Sequence, residues 1–278
     1  MYVKGERLMK TKRIVIAVTA ILFLTITALN AGAQTVKQYE DMSRAERLGF
    51  VGEQARRIAR EISGSEYEFT TDFEQDIQRF VTHYAQRIGK SRNERGPITD
   101  LRVVMQRGQS VAPTVNAVFR SRNVSPLVGL YLAWIESEYQ NLATPSPGGA
   151  LGMFQFLPST GERYGLSVDD LMDVGKSADA AARYITDSIQ VFNGDPMKEV
   201  LALLAYNRGE GKTSRELKVV VTEQNKRCSI CALTAELSKL DETFRGESVF
   251  YVPRFFAAAI IGENPQVFGL QGQPLSSH

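Results

Sequence analysis

Residues 125–135 constrain the fold more than any other stretch of this chain. Ser125 is a good helix N-cap and Pro126 suits the first helical position. After them Leu127, Val128, Leu130, Tyr131, Leu132, Ala133, Trp134 and Ile135 leave almost no polar face. A helix apolar on all sides has to be wrapped by other elements, and the rest of the sequence supplies helices to do so. Residues 40–62 alternate Arg44, Glu46, Arg47, Glu53, Arg56 and Arg57 with Leu48, Phe50, Val51 and Ile58, at helical spacing. Thr71 and Asp72 read as the cap of a second amphipathic helix through Phe73, Ile77, Phe80, Val81, Tyr84 and Ile88. A third is expected over much of 98–120, with Pro113 interrupting or beginning it. Residues 89–97 form a basic, polar connection, the best place for a joint. The fold class is all-α, without internal repeats.

The N-terminus has a different character. Lys10, Lys12 and Arg13 precede an apolar or Thr run from residue 14 to 29, and Ala31-Gly32-Ala33 follows in an A-x-A pattern. This reads as a secretory signal peptide cleaved after Ala33. An uncleaved membrane anchor is the alternative: sixteen residues at about 1.5 Å each fall short of a roughly 30 Å hydrocarbon core but could nearly span a thinned one. The first 33 residues hold five basic side chains against Glu6 alone, so their removal takes the formal charge from +2 to −2. A chain so nearly neutral gives no electrostatic reason to bind nucleic acid. With 43% hydrophobic and 23% charged residues it has an ordinary globular composition.

Glu136 falls in the last turn of the apolar helix. Desolvation and the negative end of the helix dipole both disfavour its carboxylate there, which raises its pKa and suits it to donate a proton near neutral pH. An acid simply paired with a basic residue at the rim of a core helix is the plainer reading. Glu138, two residues on, is turned by about 200° and faces away. The two cysteines, Cys228 and Cys231, form a local disulfide by default in an exported chain. A redox dithiol or half of a zinc site are the alternatives, although His83 and His278 are the only histidines.

Four blocks follow one another at wide spacing: Ile135-Glu136-Ser137; residues 146–160 with Tyr164-Gly165-Leu166; Leu204-Ala205-Tyr206-Asn207-Arg208-Gly209; and Tyr251-Val252-Pro253. In that order they resemble the bacterial lytic transglycosylases, over roughly residues 110–270. The resemblance implies a lysozyme-like, goose-type helical catalytic domain acting on peptidoglycan glycan strands, with no metal or organic cofactor. Glu136 falls on the family's single catalytic acid and Ser137 on the serine that orients it. Ser146 and Gln155 match groove residues that contact sugar, Gln155 closing a block that reads Gly152-Met153-Phe154-Gln155 here. Tyr206 and Asn207 match the pair near the acid and the substrate's N-acetyl group. Glu247 matches a second groove glutamate, and Tyr251 begins the last block.

Each residue also has a plain role. Tyr206 ends an apolar helix begun by Asp195-Pro196 and packs there, while Gly148, Gly149 and Gly152 serve a tight turn. Met153, Phe154 and Phe156 read as packing. The expected organisation is a signal peptide over 1–33, an N-terminal helical extension over 34–109 offering a surface to an envelope protein partner, the catalytic domain over 110–270, and a tail over 271–278. Two other functions stay open on sequence. A lysozyme-like hydrolase needs a second carboxylate, for which Glu247, Asp169 and Asp170 are candidates. A non-catalytic glycan-binding or envelope-assembly module needs none.

Overall fold

The computed structural model describes residues 36–278, and the expected signal segment at 1–33 lies outside them. Eleven α-helices occur among the described residues: α1 Arg44–Ser63, α2 Thr71–Ala85, α3 Leu101–Ser121, α4 Pro126–Ser137, α5 Pro158–Arg163, α6 Val174–Val191, α7 Lys198–Arg208, α8 Glu210–Val220, α9 Ser229–Ala235, α10 Glu242–Gly246 and α11 Tyr251–Glu263. The strands described are β1 Arg92–Asn93 and β2 Gly96–Pro97, an antiparallel pair within the polar connection. The all-α expectation therefore describes this part of the chain.

Local chemistry sets the helix starts. The Ser43 hydroxyl accepts from Glu46 N (3.2 Å) and the Glu46 carboxylate accepts from Ser43 N (2.7 Å), a reciprocal capping box that begins α1 at Arg44 instead of residue 40. Thr70, not the Thr71-Asp72 pair, caps α2 through its hydroxyl to Phe73 N. Pro113 neither interrupts nor begins α3, which runs through it. Its ring lies on the exposed side of the helix, and Gln109, whose carbonyl loses its helical partner, is only half-buried. Water can take that carbonyl, so the cost falls short of a break.

The core is organised around α4 and α11. Every residue of α11 except Arg254 is buried, and α4 buries all of its apolar residues save Pro126 and Ile135. The two helices run antiparallel, with Tyr131 meeting Glu263 at one end and Tyr251 meeting Glu136 at the other. Gly262 permits the approach, for a Cβ there would lie 2.4 Å from the Tyr131 hydroxyl. Helices α1 and α2 lay Val51, Ala55, Ile58, Phe73, Ile77 and Val81 into the same core, α3 and α6 pack on α4, and α7 packs on α6 and α11. Burying a side chain as large as Trp134, Tyr131, Phe255 or Phe256 contributes about 1.5–3 kcal/mol each.

Residues 109 and 110, the expected domain boundary, are neighbours within α3, and one core continues across them. The final residues are docked. Leu275 is fully buried, Asn116 of α3 donates to the carbonyls of Leu275 and His278, and Ser276 donates twice to Glu263. Cys228 and Cys231 are joined by a disulfide just before and within α9, and Cys231 Sγ accepts from Thr70 N at the start of α2 (3.4 Å). Among the described residues no helix is long and apolar enough to cross a membrane.

Candidate active site

Helix α4 ends in a tight reversal. Glu138 N donates to Trp134 O and Tyr139 N to Ala133 O, and both residues adopt the left-handed conformation (φ 51° and 61°). That turn is rare for residues other than glycine and Asn. It is held by packing of the Tyr139 ring on Trp134 and by the ion pair of Glu138 with the largely buried Arg87 (2.6 Å). Glu138 is thus spent on the outside of the turn, and Glu136 is left facing a cavity of about 480 Å³.

The loop between α4 and α5 makes one wall. Ser146 opens a turn in which Ala150 N donates to the Ser146 hydroxyl (3.0 Å) and Ser146 N to Ala150 O. Leu151 and Phe156 then exchange both backbone hydrogen bonds, which closes a hairpin around Gly152. Gly152 has φ 76°, and a Cβ on it would stand 2.3 Å from Leu171 O, so no other residue fits. Gln155 is left-handed (φ 49°) and fixes itself by donating to Gly152 O (2.8 Å). Ser146, Gln155, Phe156, Leu157 and Thr160 all line the cavity.

The adjoining part of the lining comes from the end of α7. Tyr206 donates its hydroxyl proton to Phe154 O (2.9 Å) and packs edge-on against Tyr184 and Phe156. Asn207, beside it, is exposed to the cavity, and its Oδ1 accepts from Ser248 (2.9 Å). Its amide N–H groups have no protein partner among the described residues. Asp195 and Pro196 lie ahead of α7, which starts at Lys198, and Gly209 (φ 83°) ends it. Arg208 next to Asn207 is buried and ion-paired to Glu216 and Asp241, anchoring the segment between α7 and α11.

Glu136 receives one strong hydrogen bond, from the Tyr251 hydroxyl to Oε1 (2.5 Å). Burial pushes its carboxyl up to about 7, against the Tyr251 hydrogen bond and the Arg254 guanidinium, which favour the carboxylate, while Glu247 adds to the rise. Burial likewise drives the Tyr251 hydroxyl well above its ordinary range, so it remains a donor. The expected rise from an apolar setting is what the geometry gives.

The remaining candidates are placed differently. Ser137 is buried and turned away from the cavity, its hydroxyl bonded to Met153 O (2.7 Å) and Ala133 O. It ties α4 to the hairpin and reaches neither the Glu136 carboxyl nor the cavity lining. Glu247 is exposed, outside the lining, and acts on Glu136 only through its field. Asp170 is held by Lys176 and Ser167, which keep its carboxyl well below the usual range, and neither it nor Asp169 lines the cavity. Glu136 is therefore the sole carboxylate of the lining. Among the described residues no group of three or more His, Cys, Asp or Glu side chains could hold a metal ion. Arg254, Tyr184 and Ser248 do not stand out in the sequence. Arg254 carries a usable signal all the same, standing three residues after Tyr251 and so on the same helical face.

Comparison with known proteins places this geometry. Residues 114–228 match the transglycosylase SLT domain. The lysozyme-like helical fold of that domain is the fold seen here. The match takes in Glu136, Ser146, Gln155, Tyr206 and Asn207, and stops before Glu247 and Tyr251. Membrane-bound lytic murein transglycosylase D of Escherichia coli K12 is 31% identical over 156 residues, which are 55% of this chain and 31% of that protein. Peptidoglycan transglycosylase gp16 of Escherichia phage T7 is 38% identical over 86 residues, 29% of this chain and 6% of that protein. The chain thus spans less than a third of the length of either relative.

Proposed function

We propose that this protein is a peptidoglycan lytic transglycosylase. It cleaves the β-1,4 bond between N-acetylmuramic acid and N-acetylglucosamine and leaves a 1,6-anhydro-N-acetylmuramic acid end. The observation that carries this reading is a groove with one carboxyl group in its lining, bonded by protein through one oxygen only and pushed up to about 7 by burial. The SLT domain and the relatives named for murein and peptidoglycan support the substrate class.

In this mechanism Glu136 gives its proton to the glycosidic oxygen as the bond to the anomeric carbon breaks. The N-acetyl oxygen of the same sugar bonds to that carbon and takes up the positive charge, so no enzyme nucleophile is needed. Glu136, now a carboxylate, accepts the proton of the 6-hydroxyl. The oxygen so freed attacks the anomeric carbon and displaces the N-acetyl oxygen. Tyr251 steadies the carboxyl in both states, and the amide of Asn207 offers N–H groups to an oxygen acceptor on the sugar. Ser146 and Gln155 contribute further polar groups to the lining. Action in the cell envelope belongs to the same reading, with residues 1–33 as the export signal and residues 34–109 as a surface for a partner there.

Mass spectrometry of the sugars released from purified peptidoglycan tests this. The wild-type protein is expected to release anhydro-ended products and Glu136→Gln none. Products heavier by one water would make the protein a hydrolase with a second carboxylate brought in by substrate. No release by a folded wild-type protein would favour a glycan-binding role.

A further inference from the structure

Arg254 is the one residue of α11 that is not buried as a whole, yet its Nε is enclosed and has no hydrogen-bond partner. Among the described residues the side chain makes no salt bridge, and it donates from Nη2 to Ile135 O (3.3 Å). That carbonyl is one of the last in α4. Tyr139 N, which would reach it in a continuing helix, is diverted to Ala133 O by the left-handed turn. The bond therefore satisfies an orphan acceptor and sets a cation at the negative end of the helix dipole. Glu136 is the next residue. Tyr251 and Arg254, one turn apart on α11, thus grip Glu136 and the peptide preceding it.

We propose that Arg254 is a positioning residue that fixes the end of α4 and supplies the counter-charge when the Glu136 carboxyl gives up its proton. This rests on the reading of Glu136 as acid and then base. An acid used once needs only to be protonated. An acid that must next act as a base needs its carboxylate to be tolerable where burial disfavours it, and a guanidinium without a carboxylate partner among the described residues meets that need. The other groups acting on Glu136 do not. From α11 Tyr251 is a neutral donor, from α7 Tyr206 is neutral and already bonded to Phe154 O, and Glu247 ahead of α11 repels the carboxylate. Beyond the end of α4, Arg87 is neutralised by Glu138.

The test separates charge from capping. R254Q keeps an N–H donor without the charge, R254K keeps the charge, and R254M keeps neither. The Glu136 titration is followed by NMR of protein labelled with carbon-13 at glutamate carboxyls, with E136Q identifying the signal. In R254Q or R254M, whichever folds, the titration and the alkaline limb of activity are expected to move up by about one pH unit. The kcat is expected to fall roughly 10-fold with little change in KM, and R254K to recover most of both. An unchanged titration in the neutral variants, or R254K as impaired as R254Q, would overturn the proposal. The NMR readout needs no turnover, so a protein without transglycosylase activity would refute the proposed function and still show whether the charge of Arg254 acts on Glu136.

Discussion

Helices α4 and α11 each carry in their last turn a glutamate held by a tyrosine of the other, and the two pairs have opposite uses. Tyr131 of α4 donates to Glu263 at the end of α11, and Tyr251 of α11 donates to Glu136 at the end of α4, both at 2.5 Å. Both oxygens of Glu263 are bonded by protein. Its Oε1 also accepts from Ser276 N (3.1 Å), its Oε2 accepts from the Ser276 hydroxyl (2.5 Å), and it is buried. Glu136 has one oxygen bonded by protein, and the carboxyl borders an open cavity. The carboxyl–tyrosine pair is common to a structural staple and a candidate catalytic site, and the difference lies in the hydrogen-bonding capacity that the fold leaves unused.

Exchanging the two acids for their amides separates these roles most sharply. Glu136→Gln is expected to cut the release of anhydro-sugars by roughly 10²–10⁴-fold or more, while leaving the protein folded. Glu263→Gln is expected to retain activity and to lose roughly 1–3 kcal/mol of stability, read by urea denaturation. Equal losses of activity in both would erase the distinction.

Tyr251→Phe comes next. Removing the hydroxyl takes away a bond that favours the Glu136 carboxylate, so the alkaline limb of the activity profile should move to higher pH. Activity at its optimum should fall roughly 10-fold, the equivalent of one charge-assisted hydrogen bond. The companion change Tyr131→Phe should leave the profile in place and lower the melting temperature.

Stability against pH gives a third contrast, and its sign is set by the direction of the shift. The Glu136 carboxyl holds its proton up to about 7 in the folded protein and releases it near 4.5 when unfolded. The folded state binds more protons between those values. The resulting stabilisation is complete below about 4.5 and is lost as pH rises through about 7. Relative to E136Q, the wild-type protein should lose about 2–3 kcal/mol across that window, measured by denaturation at pH 4.5 and 7.5. A difference between the two proteins that does not change with pH would contradict the perturbed carboxyl.

The smallest effect on activity is expected far from the groove. Replacing Cys228 and Cys231 by Ser opens a loop so short that about 2 kcal/mol of stability is the most at stake. The kcat should stay within about twofold of wild type, because the segment that carries Glu247 to Tyr251 is also anchored by the ion pairs of the buried Arg208 with Glu216 and Asp241.

Much of this contrast is legible in the sequence on one side and hidden on the other. Helix α4 announces itself through Ser125, Pro126 and an unbroken apolar run, and the elevated Glu136 follows from its place at the end. The four blocks bring Glu136, Ser146, Gln155, Tyr206, Asn207 and Tyr251 to one groove or its border. What stays hidden is direction. Ser137 follows Glu136 in the chain, yet its helical position turns it to Met153 O. Pro113 reads as a helix breaker by its usual effect, and only the solvent-facing side of α3 makes it tolerable. The partners of Glu263 come from Tyr131 and Ser276, and those of the α4 terminus from Arg87 and Arg254, contacts between distant segments that no local pattern encodes.

Digestion of peptidoglycan in water enriched with oxygen-18 bears most directly on the claim that one carboxyl group serves twice and that the sugar's own hydroxyl replaces water. Released ends are expected to be anhydro sugars free of the heavy isotope at the anomeric carbon. One heavy oxygen on each new reducing end would mean that water is the acceptor, and would contradict the account.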